Sequence, residues 1–586
     1  MKSDARWTVA LGGGETPDPS LIGGKAWSIA WMSGLGLSVP PAFVITTRAC
    51  AAFLERDDLP PGLDEEIAAG INWLEQQSGR SFGGGPRPLL VAVRSGAPVS
   101  MPGMMDTVLN LGINAATEAL LGQECGDAQF ARDTHCRFLD LYGSVVLKAP
   151  PIHVDGDTDP AALKAQINAS TGAMLPDDVG AQLTGAVRAV FESWNSRRAR
   201  RYRQHHGISD DLGTAVTVQA MAFGNIDDQS GTGVLFTRNP LDGNNVPYGE
   251  YMQRAQGEDL VSGRRTPQPL SMMEASVPEA HQQLLAAAHK LEEAQGDVQD
   301  IEFTVECGKL YLLQTRSAKR APKAAVRIAV EMVKEGMIEP TEALRRITPE
   351  QIRILLSPRL ADGAADGATV VATGEGASPG VGQGTVVIDP DEAEDRARHG
   401  EAVVLARPTT SPNDVHGMIA ACAILTEKGG STSHAAVVGR ALGRPCVVGC
   451  GEGRLVDLAG RIVTVDGQAG RVYDGRLAVV SPSEDDDATL SQLLRWAAEF
   501  SDIAVEATSP AGAIDLDLLP GDPAQIDEIF ASVPSGAAVR GAVLASDEGV
   551  RAAITAGVAV IVTSPRLPAL LQVAQAHIAA ADRKGD

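Results

Sequence analysis

The sequence predicts a mixed α/β protein of several domains, and three observations lead there. Its 586 residues exceed what one hydrophobic core organises at the usual ~100 to 200 residues per domain. Strand-like and helix-like runs alternate, with glycine and turn-forming residues beside charged groups at 22–25, 94–107 and 231–266. A content of 44% hydrophobic and 21% charged residues is that of a globular chain, not a disordered or fibrous one.

Taken in order, the α/β pattern runs to about residue 320 and reads as a nucleotide-binding region. Over 322–360 the period becomes helical: Val326, Ile328, Ala329, Met332 and Val333 are spaced for one apolar face, and Pro340 restarts a second helix. This segment, 321–364, is expected to be a helical linker. From about 367 short β-rich runs return at 368–372, 384–388 and 403–406, and the block closes near 472–476. The rest, 481–586, starts acidic and serine-rich and carries β-like runs at 503–507, 537–544 and 558–563, which predicts a small α/β tail.

Bulk chemistry excludes several classes. With 74 acidic against 50 basic residues the formal charge is -24, which repels nucleic acid and anionic membranes, so an anionic substrate needs a local basic pocket. Seven cysteines, of which only Cys446 and Cys450 lie close together, suggest neither a disulfide framework nor a zinc site. No signal-like or membrane-spanning apolar run is apparent, which makes the cytoplasm the expected location.

Four segments carry chemistry. In GGSTSHAAVVGRALGRPCVVGC (429–450), His434 follows two glycines among small side chains. Such a setting admits a phosphate to a neutral imidazole nucleophile, and a helix starting near Ser433 or His434 offers free backbone N–H groups. In 23–46, Lys25 follows a Gly-Gly pair and opens an apolar helical stretch, which brings amides and an ammonium to a nucleotide phosphate. In VAVRSGAPVSMPGMMDTVLN (91–110), a strand is expected to end at Arg94, whose fork grips phosphate, before a loop rich in Ser, Gly, Pro and Met. Met101, Met104 and Met105 would ordinarily be core residues. The proline and glycine breaks favour a lid that closes over the site instead.

The fourth segment, 300–320, reads as two strands joined by a turn at 307–309. Alternation puts Asp300, Glu302 and Thr304 on one face, and Gln314 and Arg316 on one face of the partner strand. Two carboxylates, an amide and a guanidinium can then converge as a Mg²⁺ and nucleotide-phosphate site. A hairpin whose polar face merely meets water is the plainer alternative.

Together Lys25, Arg94, Asp300, Glu302, Gln314 and Arg316 resemble the nucleotide site of the pyruvate, phosphate dikinase family. The segments 214–225, 231–240 and 248–269 follow in the family's order, and the string around His434 resembles its phosphohistidine domain. The resemblance covers about 7–480. It implies an ATP-grasp nucleotide-binding domain at 1–320 and a swivelling phosphohistidine domain at 365–480, moving on the linker. By the same resemblance Gln219 and Met221 lie near the adenine, Glu250 and the 256–258 turn with Glu258 border the cleft, and Asp300 and Glu302 hold Mg²⁺. Thr432 matches a position where a regulatory kinase acts on some members. A phosphate there, carrying about -1.5 to -2 charges, would oppose the incoming anion. Thr432 is equally placed to cap the following helix.

The family ends in a (β/α)₈ barrel that handles phosphoenolpyruvate or pyruvate, and the residues after 480 are too few for the ~250 such a barrel needs. The tail is therefore expected to be a barrel remnant or a separate small domain. The expected activity is ATP plus inorganic phosphate to AMP, pyrophosphate and phospho-His434, with the phosphate passed to an acceptor or a barrel supplied in trans. Two alternatives are a nucleotide-responsive regulatory protein without turnover and a small-molecule phosphotransferase of the same superfamily. The acceptor and the oligomeric state, a homodimer included, stay open.

Overall fold

The computed structural model describes residues 7–12, 16–99, 101, 105–152, 154, 158–261, 267–411, 414–430, 433–519 and 526–585. These fold as two compact units, one formed by Met1–Asn239 and Asn245–Lys319, the other by Pro240–Asn244 and Arg320–Asp586.

The first unit contains two five-stranded sheets. In the first sheet the order is Thr8–Leu11, Ala42–Ile45, Ala215–Ala220, Val91–Gly96, Thr107–Leu111, with antiparallel neighbours throughout. Strand alternation sorts its faces. Phe43, Ile45, Val91, Val93, Val216 and Val218 join a large core with residues of helices Leu63–Ser78, Ala128–Val145 and Val179–Ser193. Ala42, Val44 and Ala215 on the other face pack on Ile22, Ala26 and Ile29 of helix Pro19–Gly34. That helix is broken at Gly23 (φ 75°, ψ 158°), and Gly24 N–H donates to the Ala97 carbonyl at 3.2 Å. A Cβ on Gly23 would lie 1.9 Å from the Gly96 carbonyl oxygen, so no larger residue fits there.

The second sheet runs Gln268–Pro269, Tyr248–Gln253, Gly231–Phe236, Gln299–Glu306, Lys309–Ser317. Its apolar face (Leu235, Tyr251, Ile301, Phe303, Val305, Leu310, Leu312) buries against helix Pro278–Gln295. Gly231 and Gly233 make room for the stacked rings of Tyr251 and Phe303, whose centroids are 6.4 Å apart. After the Gly231–Phe236 strand, Arg238 is fully buried and forms a double hydrogen bond with Glu292 at 3.0 and 3.1 Å. The segment 231–240, GTGVLFTRNP, thus contributes scaffold.

In the second unit an eight-stranded sheet has the order Val370–Thr373, Arg471–Asp474, Ile462–Asp466, Val381–Val387, Val403–Arg407, Ala423–Thr426, Cys446–Val448, Glu375–Ser378. The strands from Val381–Val387 to Cys446–Val448 are mutually parallel. A four-stranded parallel sheet (Ala504–Glu506, Val560–Val562, Ala538–Arg540, Ile514–Asp515) follows.

The 322–360 segment is helical, as Pro322–Lys334, Pro340–Arg346 and Pro349–Leu356, but it is no isolated connector. Val326, Ala329, Val330, Leu344 and Ile352 share one core with Leu490, Leu493 and Ala497 of helix Ala488–Glu499 and with Leu567, Leu571 and Ala574 near the chain end. The reason lies in burial: the helix Pro322–Lys334 also hides Ala324, Ala325 and Val330, a stripe wider than the sequence reading assigned, and such a face needs partners. All seven cysteines are free, and no helix among the described residues is long and apolar enough to cross a membrane.

Gly23→Ala is expected to destabilise the first unit by about 1–3 kcal/mol or more, since it adds overpacking against backbone to the strain of a positive φ. Urea denaturation followed by tryptophan fluorescence measures this; an unchanged midpoint would contradict the close approach.

Candidate functional site

Directly opposed residues in an antiparallel sheet share a face, so the register of the second sheet assembles the site. One cross-strand row is Glu250, Val234, Glu302, Gln314, and the next is Tyr248, Phe236, Asp300, Arg316. The predicted Glu250, Asp300, Glu302, Gln314 and Arg316 therefore all lie on the face opposite the apolar core. This depends on a register shift between Glu302 and Phe303, where Leu313 is the extra residue of its strand. Without it, Leu310 and Leu312 would occupy the same face as Gln314 and Arg316; the bulge sends the leucines into the core and the polar pair to the site.

Arg316 Nε donates to Asp300 Oδ2 at 2.8 Å, while Asp300 Oδ1, on a residue only 6% exposed, has no hydrogen-bond partner. Burial lowers the Arg316 pKa, but the hydrogen bond and charge of Asp300, with Glu302, outweigh it and raise it.

The opposing wall comes from the first sheet and its helix. Lys25 is the second residue after the Gly23 break, and Cβ on Gly96 would lie 3.5 Å from Lys25 Cβ and 3.8 Å from Thr217 Oγ1. Arg94 pairs directly with Thr217. The strand does not end at Arg94, as the sequence suggested, but continues to Gly96 because Ser95 and Gly96 keep pairing with Val216 and Ala215. Neither Lys25 nor Arg94 has a carboxylate within ion-pair distance among the described residues. Burial, and next the Arg94 charge, lower the Lys25 pKa to about 8, with Glu302 opposing and Arg316 adding to the fall. Burial also lowers Arg94, again opposed by Glu302. Lys25 and Arg94 thus face the sheet that carries Asp300, Glu302 and Arg316, and neither has a carboxylate of its own among the described residues, a setting suited to a polyphosphate.

The remaining predicted residues are placed differently. Gln219 is buried, and its amide donates to the Pro40 carbonyl at 3.2 Å, on the helix side of the first sheet. Met221 follows that strand, half-buried, with its N–H on the Leu90 carbonyl at 2.9 Å. Glu250 is exposed. Glu258 is held by Arg137 at 2.5 Å, and Arg137 also reaches Asp259 at 3.0 Å, so the 256–258 turn is pinned to helix Ala128–Val145. Met101 packs on Trp194 and Ala199 with Met105 beside them, the core role that the lid expectation had set aside; Met104 lies outside the described residues.

Sequence reasoning missed Thr217 and Arg137. Thr217 Oγ1 is buried without a partner beside Lys25 and Arg94, and its signal was available, since it alternates with Gln219. Arg137 gave none, being one charge on an amphipathic helix.

In the second unit, His434 is the first residue of helix His434–Ala441, which links the parallel strands Ala423–Thr426 and Cys446–Val448 at the carboxyl end of the former. Loops at that end are where α/β sheets bind ligands. Ser433 N–H donates to Gly430 O at 2.8 Å, and Gly429 (φ 116°) lies against Ser433. Thr432 lies outside the described residues, as does the imidazole of His434.

Among the described residues no group of three or more His, Cys, Asp or Glu side chains is arranged to hold a metal alone. Asp300 with its unpartnered oxygen and Glu302 nevertheless fit Mg²⁺, which takes one or two carboxylates and completes its shell with phosphate oxygens and water.

A cation kept charged against burial costs stability. With the folded pKa near 8 and the unfolded one near ~10.4, that cost is present below pH 8 and disappears between the two values. Lys25→Met is expected to raise the melting temperature of the first unit by a few degrees at pH 7, with the gain shrinking toward pH 10. Calorimetry from pH 7 to 10 checks it; a loss of stability at pH 7 would contradict the assignment.

Comparison with known proteins follows the same lines. Residues 19–78, 56–282 and 271–337 match the family described as pyruvate phosphate dikinase, AMP/ATP-binding domain, and residues 400–470 match PEP-utilising enzyme, mobile domain. Pyruvate, phosphate dikinase of Rhizobium meliloti is 42% identical over 563 residues, covering 87% of this chain and 62% of that protein. The Clostridium symbiosum enzyme of the same name is 40% identical over 541 residues, covering 86% and 62%. The chloroplastic one of Flaveria trinervia is 42% identical over 525 residues, covering 84% and 55%. The chain thus spans about 55 to 62% of the length of these relatives, and it belongs to the pyruvate, phosphate dikinase family.

Proposed function

We propose that the chain binds ATP with Mg²⁺ and inorganic phosphate on its first unit and phosphorylates its own His434, releasing AMP and pyrophosphate. The observation that carries this is the facing of Lys25 and Arg94 by Asp300, Glu302, Gln314 and Arg316, with an unpartnered Asp300 oxygen among them. Lys25, Arg94 and Arg316 neutralise the phosphates, and Gln314 donates to them. Asp300 and Glu302 hold Mg²⁺, which shields the phosphate charges as phosphoryl transfer develops. Gln219 and Met221 border the adenine, and Glu250 and Glu258 border the cleft.

In this reading 1–320 is the ATP-grasp part, 321–364 its helical connector, 365–480 the swivelling phosphohistidine part and 481–586 an accessory α/β region. One phosphoryl group goes to the imidazole of His434, another joins inorganic phosphate as pyrophosphate, and AMP leaves, so the four phosphorus atoms of ATP and phosphate are accounted for. Phospho-His434 then gives its group to an acceptor on another domain or molecule; the relatives' name makes pyruvate the first acceptor to test. Phosphorylation of Thr432 by a regulatory kinase would oppose transfer by charge.

Incubation with Mg²⁺, phosphate and β-labelled ATP is expected to give acid-labile, base-stable label that His434→Ala abolishes and Arg94→Met slows by about 100-fold or more. ATP binding without label on the native protein would overturn the proposal. A bound polyphosphate favours the charged ammonium, so ATP affinity is expected to fall as pH rises above about 8, a dependence lost in Lys25→Met.

A further inference from the structure

The carboxyl end of the eight-stranded sheet holds a guanidinium, that of Arg407, outside the nucleotide site of the first unit. Arg407 ends strand Val403–Arg407 and pairs in register with Thr426, the last residue of the strand that leads to His434. Leu405 and Ile424, two residues earlier in each strand, pack in the same cluster as Ala435 and Ala436. By alternation Arg407 and Thr426 therefore lie on the face that carries helix His434–Ala441. The two chain segments stay together beyond the strands, with Glu427 N–H on the Arg407 carbonyl at 3.1 Å and Lys428 N–H on the Pro408 carbonyl at 3.1 Å. Thr426 Oγ1 donates to the Lys428 carbonyl at 2.9 Å, and Gly429 touches Ser433, so the loop folds back onto the start of the helix.

The guanidinium is oriented but not saturated. Nη1 donates to the Ile388 carbonyl at 2.9 Å, Nη2 lies 3.1 Å from Oδ1 of the buried Asp414, and Nε is buried without a hydrogen-bond partner. Asp414 is itself fixed by Ser411, whose N–H and Oγ donate to Oδ2 at 2.7 and 2.9 Å. Arg444 also has an unpartnered Nε, but it precedes strand Cys446–Val448 and so belongs to the opposite end of the sheet. Of the five N–H groups of Arg407 only two have acceptors among the described residues, and the side chain is 31% exposed, so donors remain for an anion that is present only part of the time.

We propose that Arg407 binds the phosphoryl group carried by His434, holding it at the carboxyl end of the sheet between its arrival and its departure. This rests on His434 being the phosphorylated residue. The dianionic phosphoryl oxygens supply the acceptors that the fork lacks, and Asp414 keeps the fork aimed while it waits. Holding lowers the phosphoryl group's second ionisation and fixes its orientation.

Phosphoramidate tests this without ATP, because it phosphorylates imidazoles directly: its P–N bond breaks, ammonia leaves and the imidazole takes the phosphoryl group. The ³¹P resonance of phospho-His434, assigned by its loss in His434→Ala, is titrated in the native protein, in Arg407→Gln and in Arg407→Lys. In the native protein its ionisation is expected below that of phosphohistidine in a short peptide; it returns to the peptide value in Arg407→Gln and partly recovers its shift in Arg407→Lys, which keeps charge but not the fork. ATP-driven labelling is expected to slow by about 10- to 100-fold in Arg407→Gln. A native titration equal to the peptide's, or one unchanged in a folded Arg407→Gln, overturns the inference; where that variant does not fold, a folded Arg407→Lys with an unchanged titration overturns it. A native titration whose shift is lost in Arg407→Gln, alongside no labelling by ATP, would instead refute the proposed function and leave the role of Arg407 standing.

Discussion

The close approach of Gly23 to the Gly96 carbonyl governs the candidate phosphate site. Because no Cβ intervenes, helix Pro19–Gly34 meets the end of strand Val91–Gly96 backbone to backbone, and Gly24 N–H bonds the Ala97 carbonyl. Lys25 is thereby set beside Arg94 and Thr217. The same helix sends Met32 into the core of the second sheet, so one element fixes the basic wall and the sheet that faces it. A larger residue at position 23 would shift the ammonium and loosen two cores together. The glycine pair before Lys25 is thus a packing requirement as much as a phosphate-binding signal.

The hairpin 299–317 is where the sequence was most legible and also where it hid most. Alternation gave the shared face of Asp300 and Glu302 and that of Gln314 and Arg316, and both sets face the site. It did not reveal how one strand keeps Leu310 and Leu312 in the core while Gln314 and Arg316, of the same parity, point the other way. The adjacent Leu312 and Leu313 were the only trace of the bulge that resolves this, and a pair of leucines is also compatible with a regular strand. The helix start at His434 and the β-like runs of the last region were likewise readable from local pattern, though not that those runs pair in parallel. Long-range pairings were not: Arg137 with Glu258, Arg238 with Glu292, and the helices of 322–356 with Ala488–Glu499 join residues whose partners lie far away in sequence. Met101 shows the same limit in reverse, since the breaks around it suggested a lid while Trp194, 93 positions on, offered it a core.

The electrostatics of the first unit place binding ahead of stability. Arg238 and Glu292, buried more deeply in scaffold, are paired through two hydrogen bonds. Lys25 and Arg94 have no such partner, and burial lowers the pKa of both. A site selected for stability alone would pair them or replace them with apolar residues. Leaving them unpaired is intelligible if a polyanion supplies the missing charge, and the open oxygen of Asp300 is intelligible if a hard cation accompanies that anion.

Arg407 in the second unit follows the same logic at a different kind of location. There the fold supplies the carboxyl ends of parallel strands and the first turn of a crossover helix, both rich in outward-facing backbone dipoles, and a single oriented guanidinium beside them. Dipoles alone hold an anion weakly and without preferred orientation, whereas a fork fixed by Asp414 and Ile388 adds direction. On the proposed reading, a phosphoryl group accepted from one site and surrendered at another needs that combination: enough attraction to define its position, from a fork already aimed by Asp414 and Ile388 and with N–H donors still open.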